Sequence, residues 1–182
     1  HNAEYNPLFI KSKYPEMIEK YNIPLDEYPR RCIEQIKGWE KEREDILKDG
    51  KITHERSGEY ASYIMEAVVT GKPYKIGGNV LNQGLIENLP QDACVEVPCM
   101  IDANGVNPCH VGKLPVQLAA MNMTNINVQL LTIEAAVTRD KQKIYQAAML
   151  DPHTAAELNP DDIVSMCDEL IEAHGKYMEM YK

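Results

Sequence analysis

The sequence predicts an α+β fold, mostly helical with a small antiparallel sheet. Three observations point there. Apolar residues recur at three- and four-residue spacing in the stretches 29–49 and 57–70, and again beyond residue 114. Between them, residues 74–101 carry Gly77, Gly78 and Gly84 among Ile76, Val80 and Leu81, and Cys94-Val95-Glu96-Val97 alternates as a strand does. Asn104-Gly105 is a strong reversal signal just after that run.

Taken in order, Pro29 to Asp49 places Cys32, Ile33, Ile36, Trp39, Ile46 and Leu47 on one stripe with charges between them. That pattern predicts a helix burying one face, and Gly50 stands where a left-handed C-cap belongs. Ser57 to Thr70 predicts a second helix, closed by Gly71 and Pro73. Lys75 to Ile101 reads as short strands joined by tight turns. Leu114 to Val137 returns to helix, with Pro115 suited to a first helical position. Asp140 to Leu150 is a further helix, which Asp151-Pro152 stops. Asn159-Pro160-Asp161-Asp162 combines a cap, a first-turn proline and acids near the positive end of the helix dipole. The helix behind it sets Ile163, Met166, Cys167, Leu170, Ile171 and His174 on one face. No repeat, linker or low-complexity run interrupts the chain, so residues 1–182 read as one domain, long enough to bury a core.

Composition narrows the function. The net charge is −9 with acids and bases interspersed, which excludes nucleic acid and anionic membranes as main partners, since phosphate binding needs clustered Lys and Arg. No apolar run approaches the roughly 18 residues of a membrane span, and no signal-peptide pattern opens the chain. Five cysteines at irregular spacing make a poor disulfide framework, and no CxxC suggests structural zinc. The expectation is a soluble, cytoplasmic protein.

A search for a self-contained active site finds little. His54, His110, His153 and His174 are scattered and read as surface or cap residues. Cys109-His110 is adjacent in a loop, but neighbours on an extended chain point apart. Met166, Met178 and Met180 read as core or oligomer contacts, and Asp161-Asp162 and Asp168-Glu169 as dipole and solvated-face residues. Gly77-Gly78 leads into more strand, which rules out a dinucleotide phosphate loop. The exception is Gly78 to Gly84, where glycines stand beside the amides of Asn79, Asn82 and Gln83. Such a segment lets backbone approach a ligand and offers both donors and acceptors, which suits sugar hydroxyls.

The run Gly78 to Cys99 resembles the NxxNxGxIxNLPxDxxVEVPC block of the family 4 glycosidases. The likeness continues through Gly105, His110-Val111-Gly112, Leu114-Pro115, Gln117 and Ala119-Ala120. Glu134-Ala135-Ala136, Ala147-Ala148, Asp151-Pro152 and Leu158 also fit the family pattern. At the other end, His1, Glu4, Tyr5 and Pro7 are similar to the HxxEYxP stretch of the branch acting on unphosphorylated α-galactosides, α-glucosides or α-galacturonides, as is Asn22 to Leu25. The resemblance implies a C-terminal domain related in architecture to lactate and malate dehydrogenases. It also implies a reaction outside the usual two-carboxylate mechanism. Bound NAD oxidises the sugar at C3, a base removes the C2 proton, the glycosidic bond breaks by elimination, water adds, and the hydride returns. A Mn2+ held by a Cys and a His polarises the C2 and C3 oxygens.

In that family the Rossmann domain and the metal ligands lie upstream of HxxEYxP. The resemblance therefore implies no catalytic, cofactor-binding or metal residue in this chain, and no NAD, Mn2+ or hydrolysis from it alone. Cys99 and Cys109-His110 are not stand-ins. What it implies here is the sugar side of the pocket, at His1, Glu4, Asn79, Asn82 and Gln83, together with a homo-oligomer (dimer or tetramer) contact and a contact with the N-terminal half of the same enzyme. The opening at His1, without an initiator Met, reads as a piece of something longer. Two alternatives stand beside this reading: a non-catalytic self-association module, and the substrate domain of a lactate/malate-type dehydrogenase, against which the NLP and VEVPC block speaks.

Overall fold

The computed structural model describes residues 11, 13–50 and 55–182. Within the span that the sequence reads as one domain, the fold separates into two compact units, 1–58 and 59–182.

In the first unit, α1 is a short helix (Glu16–Lys20) and α2 a long one (Glu27–Asp49). The expected left-handed cap is present at Gly50, with φ 60° and its N–H donating to the Ile46 carbonyl. One expectation needs correcting. The apolar stripe of α2 is not buried: Ile33 and Ile36 are each 53% exposed, Trp39 59% and Leu47 71%. The spacing foretells the helix and its stripe, but burial needs a partner. The other described helix of this unit is only five residues long, too short to cover it.

The second unit opens with α3 (Ala61–Thr70), shorter at its start than the expected 57–70, and capped by Gly71 at φ 72°. The sheet follows: β1 (Tyr74–Leu81), β2 (Cys94–Asp102) and β3 (Gly105–Pro108), antiparallel in the order β1-β2-β3. Tyr74 pairs with Ile101 through to Leu81 with Cys94, and Cys99 with Pro108 through to Asp102 with Gly105. The Asn-Gly signal sits where the chain reverses between β2 and β3, with Gly105 at φ 96° and the Asn104 N–H donating to the Asp102 carboxylate at 2.8 Å.

Strand alternation sets the layers. Val95, Val97, Cys99 and Ile101 face inward, and together with Ala67 of α3 they form the core with Ile86, Leu89 and Ala93 from the β1–β2 connection. Ala119 and Ile126 join them from α4 (Val116–Thr138). Val97 and Ile101 are almost fully buried, each contributing about 1.5–3 kcal/mol by leaving water.

Beyond α4, Arg139 turns the chain in the left-handed region, and Asp140 caps α5 (Lys141–Leu150) by accepting the Gln142 N–H at 2.9 Å. Asp151-Pro152 does end α5, but it also begins a helix the sequence reading missed, α6 (Pro152–Glu157). The Asp151 carboxylate accepts the His153 and Thr154 N–H groups, and Pro152 occupies the first turn. Asn159 caps α7 (Pro160–His174) as expected. Ile163 and Cys167 of its apolar face are buried, whereas Leu170 is half exposed. Tyr145 on α5 donates to the Asp168 carboxylate, and Lys141 lies 3.9 Å from the same oxygen, pinning α5 to α7.

Candidate functional site

The Gly/Asn run divides at the end of β1. Up to Leu81 it is strand, with Gly77 and Asn79 on the outer face and Gly78 and Val80 turned toward the core. Gly78 has to be glycine for a packing reason: a Cβ there would lie 2.8 Å from the Cys99 sulfur. Gly77 leaves room on the other face, where a Cβ would lie 2.8 Å from Oε1 of Glu96. Glu96 is the cross-strand partner of Asn79, so a carboxylate and an amide stand side by side above a strand floor without a side chain. Neither has a hydrogen bond or ion pair among the described residues. At the adjoining position Tyr60 donates its hydroxyl to the Gly77 carbonyl at 3.3 Å.

Asn82, expected beside the substrate, is fully buried. Its Nδ2 lies 2.9 Å from the Ile86 carbonyl and 3.0 Å from those of Leu89 and Pro90, and its Oδ1 accepts the Ile86 N–H at 2.7 Å. The side chain therefore holds the connection from inside and presents nothing to solvent. Asn88 does a similar service outward: its amide donates to the Leu114 carbonyl and accepts the Leu114 N–H, both at 2.9 Å. Leu85 and Glu87 add backbone bonds to Val111 and Gly112. Two segments far apart in sequence are thus joined by backbone and side-chain hydrogen bonds.

Gln83 is exposed, with backbone φ 42°. Next to it on the joined segments, Glu87 draws in His110 at 3.4 Å and Lys113 at 4.0 Å, all three well exposed. Asn79 and Gln83 are therefore available to a ligand, and Asn82 positions the loop that carries Gln83. His1 and Glu4 lie outside the described residues. Sequence reading missed Glu96 and Tyr60. The pairing of Glu96 with Asn79 depends on strand register, which no local motif announces.

Among the described residues no group of three His, Cys, Asp or Glu side chains is placed to hold a metal ion. Cys99 is buried on the core side with its thiol donating to the Val97 carbonyl, while Cys94 and Cys109 are exposed. Among the described residues no glycine-rich strand-to-helix turn is present for a dinucleotide phosphate. The described residues therefore do not fit NAD or Mn2+. A groove of about 280 Å³ lies between α4 and α5, lined chiefly by Val128, Ala135, Ile144, Ala147 and Tyr181; its apolar lining offers little to a sugar. No helix is long and apolar enough to cross a membrane among the described residues.

Comparison with known proteins shows the family. Residues 1–154 match the model described as the family 4 glycosyl hydrolase C-terminal domain. The α-galactosidase of Bacillus subtilis (strain 168) is 62% identical over 182 residues, which is 100% of this chain and 42% of that protein. That of Rhizobium meliloti (strain 1021) is 33% identical, across 100% of this chain and 39% of its own length. The structure of the Thermotoga maritima 6-phospho-β-glucosidase with manganese, NAD+ and glucose-6-phosphate superposes with a TM-score of 0.62 at 24% identity, covering 91% of this chain and 38% of that one. The chain thus spans about two fifths of the length of the curated relatives it matches.

Proposed function

The chain belongs to family 4 of the glycosyl hydrolases, matching its C-terminal domain, and from that premise we propose that it is the sugar-side portion of an NAD- and Mn2+-dependent glycosidase acting on unphosphorylated α-galactosides or α-glucosides. The observation that supports this most is the whole-chain identity to a bacterial α-galactosidase. The outer sheet face is chemically consistent with it. Asn79 and Gln83 offer amide donors and acceptors to sugar hydroxyls, and the Glu96 carboxylate can accept two of them. Gly77 lets a ring approach the strand closely.

The redox and metal chemistry of the reaction belongs, on this reading, to the part of the longer enzyme that the relatives possess and this chain does not span. NAD supplies hydride transfer at the sugar, and Mn2+ polarises its oxygens. The work of the residues described here is to bind and orient. Five free cysteines suit a reducing cytosol as the place where this happens.

The test joins this chain to the N-terminal portion of the Bacillus subtilis α-galactosidase and assays p-nitrophenyl α-galactoside and α-glucoside with NAD and Mn2+. The expected result is hydrolysis by the chimera, none by the 182-residue chain, and no preference for 6-phosphorylated analogues. Hydrolysis by the chain alone, or a folded chimera active only on phosphorylated sugars, would refute the proposal.

A further inference from the structure

The Asn104-Gly105 pair that turns the chain between β2 and β3 has a chemistry of its own, apart from its part in the turn. It is the only Asn-Gly step in the sequence. The side-chain Cγ of an asparagine is open to attack by the backbone nitrogen of the next residue, and a side chain on that residue stands in the way. Gly105 has none. At Asn79-Val80, Asn125-Ile126 and Asn127-Val128 a branched neighbour hinders the same approach.

The structure leaves the reacting groups accessible. Ala103 and Asn104 are both exposed at the tip of the hairpin. The Asn104 N–H is held by the Asp102 carboxylate at 2.8 Å, but its side-chain amide has no partner among the described residues. Other amides are tied down: that of Asn82 inside its loop, that of Asn88 to Leu114, and that of Asn107 to the Met100 carbonyl at 3.3 Å. Gly105 sits at φ 96°, which a side chain would strain. The turn therefore requires the very residue that makes its asparagine labile.

We propose that Asn104 is a site of spontaneous covalent modification, at which the folded turn converts from asparagine to a mixture of aspartate and isoaspartate. The Gly105 nitrogen gives up its proton to solvent base and bonds to Cγ of Asn104. Ammonia leaves, and a cyclic imide joins the two residues. Water, the co-reactant, then opens the imide. Attack at the side-chain carbonyl gives aspartate, and attack at the backbone carbonyl gives isoaspartate, with Gly105 now linked through Cγ. Both products add a negative charge close to Asp102. Isoaspartate also adds a methylene to the backbone of a tip that packs closely: a Cβ on Gly71 would lie 3.7 Å from the Ala103 Cβ, and Ile101 behind it is fully buried. The change loosens the end of the sheet that rests on α3. The tip lies at the opposite end of the β1–β2 ladder from Gln83, so this inference does not depend on the sugar-side reading.

The test incubates the folded 182-residue chain in mildly alkaline buffer made with heavy-oxygen water, and follows every asparagine by peptide mapping and mass spectrometry. Asn104 should convert ahead of all the others by on the order of tenfold, as its side-chain-free neighbour allows. The products should carry the heavy oxygen and include isoaspartate. Aged protein should accept labelled methyl groups from S-adenosylmethionine and an isoaspartyl methyltransferase at this position. Asn104→Gln, at an exposed site, should keep the fold and abolish conversion there. If another asparagine converts first, or if the product is aspartate without isoaspartate, the proposal is overturned. Conversion at Asn104 only in urea, and not in the folded chain, overturns it as well.

Discussion

Replacing Asn82 with Ala removes one side chain and orphans several backbone groups together. The Ile86 N–H loses its acceptor at 2.7 Å, and the carbonyls of Ile86, Leu89 and Pro90 lose their shared donor at 2.9–3.0 Å. The amide has two protons, so at most two full bonds and a shared one go with it, plus the bond to Oδ1. A buried polar group left unpaired costs about 1–3 kcal/mol. Ile86 and Leu89 are under a tenth exposed, so water cannot readily take the place of the amide. With Pro90 half-buried and able to recover hydration, the loss comes to about 3–5 kcal/mol, a large share of the roughly 5–15 kcal/mol that keeps a domain folded. For a unit of this size that corresponds to a fall of about 12–20 °C in Tm. Urea unfolding followed by circular dichroism measures it, with Gln83→Ala as the exposed control expected to change stability by less than about 0.5 kcal/mol. Asn82→Asp should be no milder than Ala, because it keeps the acceptor but sets a carboxylate among three carbonyl oxygens. A loss below about 1 kcal/mol for Asn82→Ala would refute the assignment of this residue as the internal support of the loop.

Gly78→Ala drives a Cβ to 2.8 Å from the buried Cys99 sulfur and should cost about 1–3 kcal/mol. The cost should shrink in the Gly78→Ala/Cys99→Ala double variant, which the same unfolding experiment reads as a non-additive pair. Timed alkylation followed by mass spectrometry should find the exposed Cys94 and Cys109 modified first. Cys99 and Cys167 should react only on unfolding, Cys167 also because burial, and then the neighbouring Asp168, push its thiol above 9.0. The hydrogen bond with Tyr145 holds Lys141 above its ordinary 10.5; burial works against it, and the charges of Tyr145 and Asp168 add smaller upward contributions. A raised folded-state value stabilises below the ordinary value and is lost as pH climbs through the raised one, so the Tm gap between the protein and Lys141→Met should be full at about pH 8 and close only above 10.5.

The helices with strong termini were legible in the sequence because their signals are local. Gly50, Gly71 and Asn159 stop or start helices where their residue types require it. Asp151-Pro152 shows the limit of such signals: the dipeptide that ends α5 is also a good helix start, and only the residues after it, folded, decide that α6 exists. The burial of α2 failed for a different reason. Periodicity reports that a stripe wants a partner, not where the partner is. In the candidate site, the amide-rich run was visible, but the sorting of its members was not. Asn79 and Asn82 look alike in sequence. One sits on an outward strand position opposite Glu96, and the other lies one residue past the strand, turned inside the connection it supports. The register and the turn separate them, and both are tertiary facts.

The bonds made by Asn82 join residues only four to eight positions apart in the chain. Contacts that short close at little loop entropy, so this connection can form early, before strands are paired. Once closed, it also brings the Asn82 N–H to the Ala93 carbonyl, one step beyond the Leu81–Cys94 pair that ends the β1–β2 ladder. The loop thereby acts as the first rung from which the two strands zip toward Tyr74 and Ile101. An error there would shift every later pair by one residue and turn Val95, Val97, Cys99 and Ile101 from the core to the solvent. The small polar knot at the end of the sheet is thus the point at which the chain chooses which face of β2 becomes the inside.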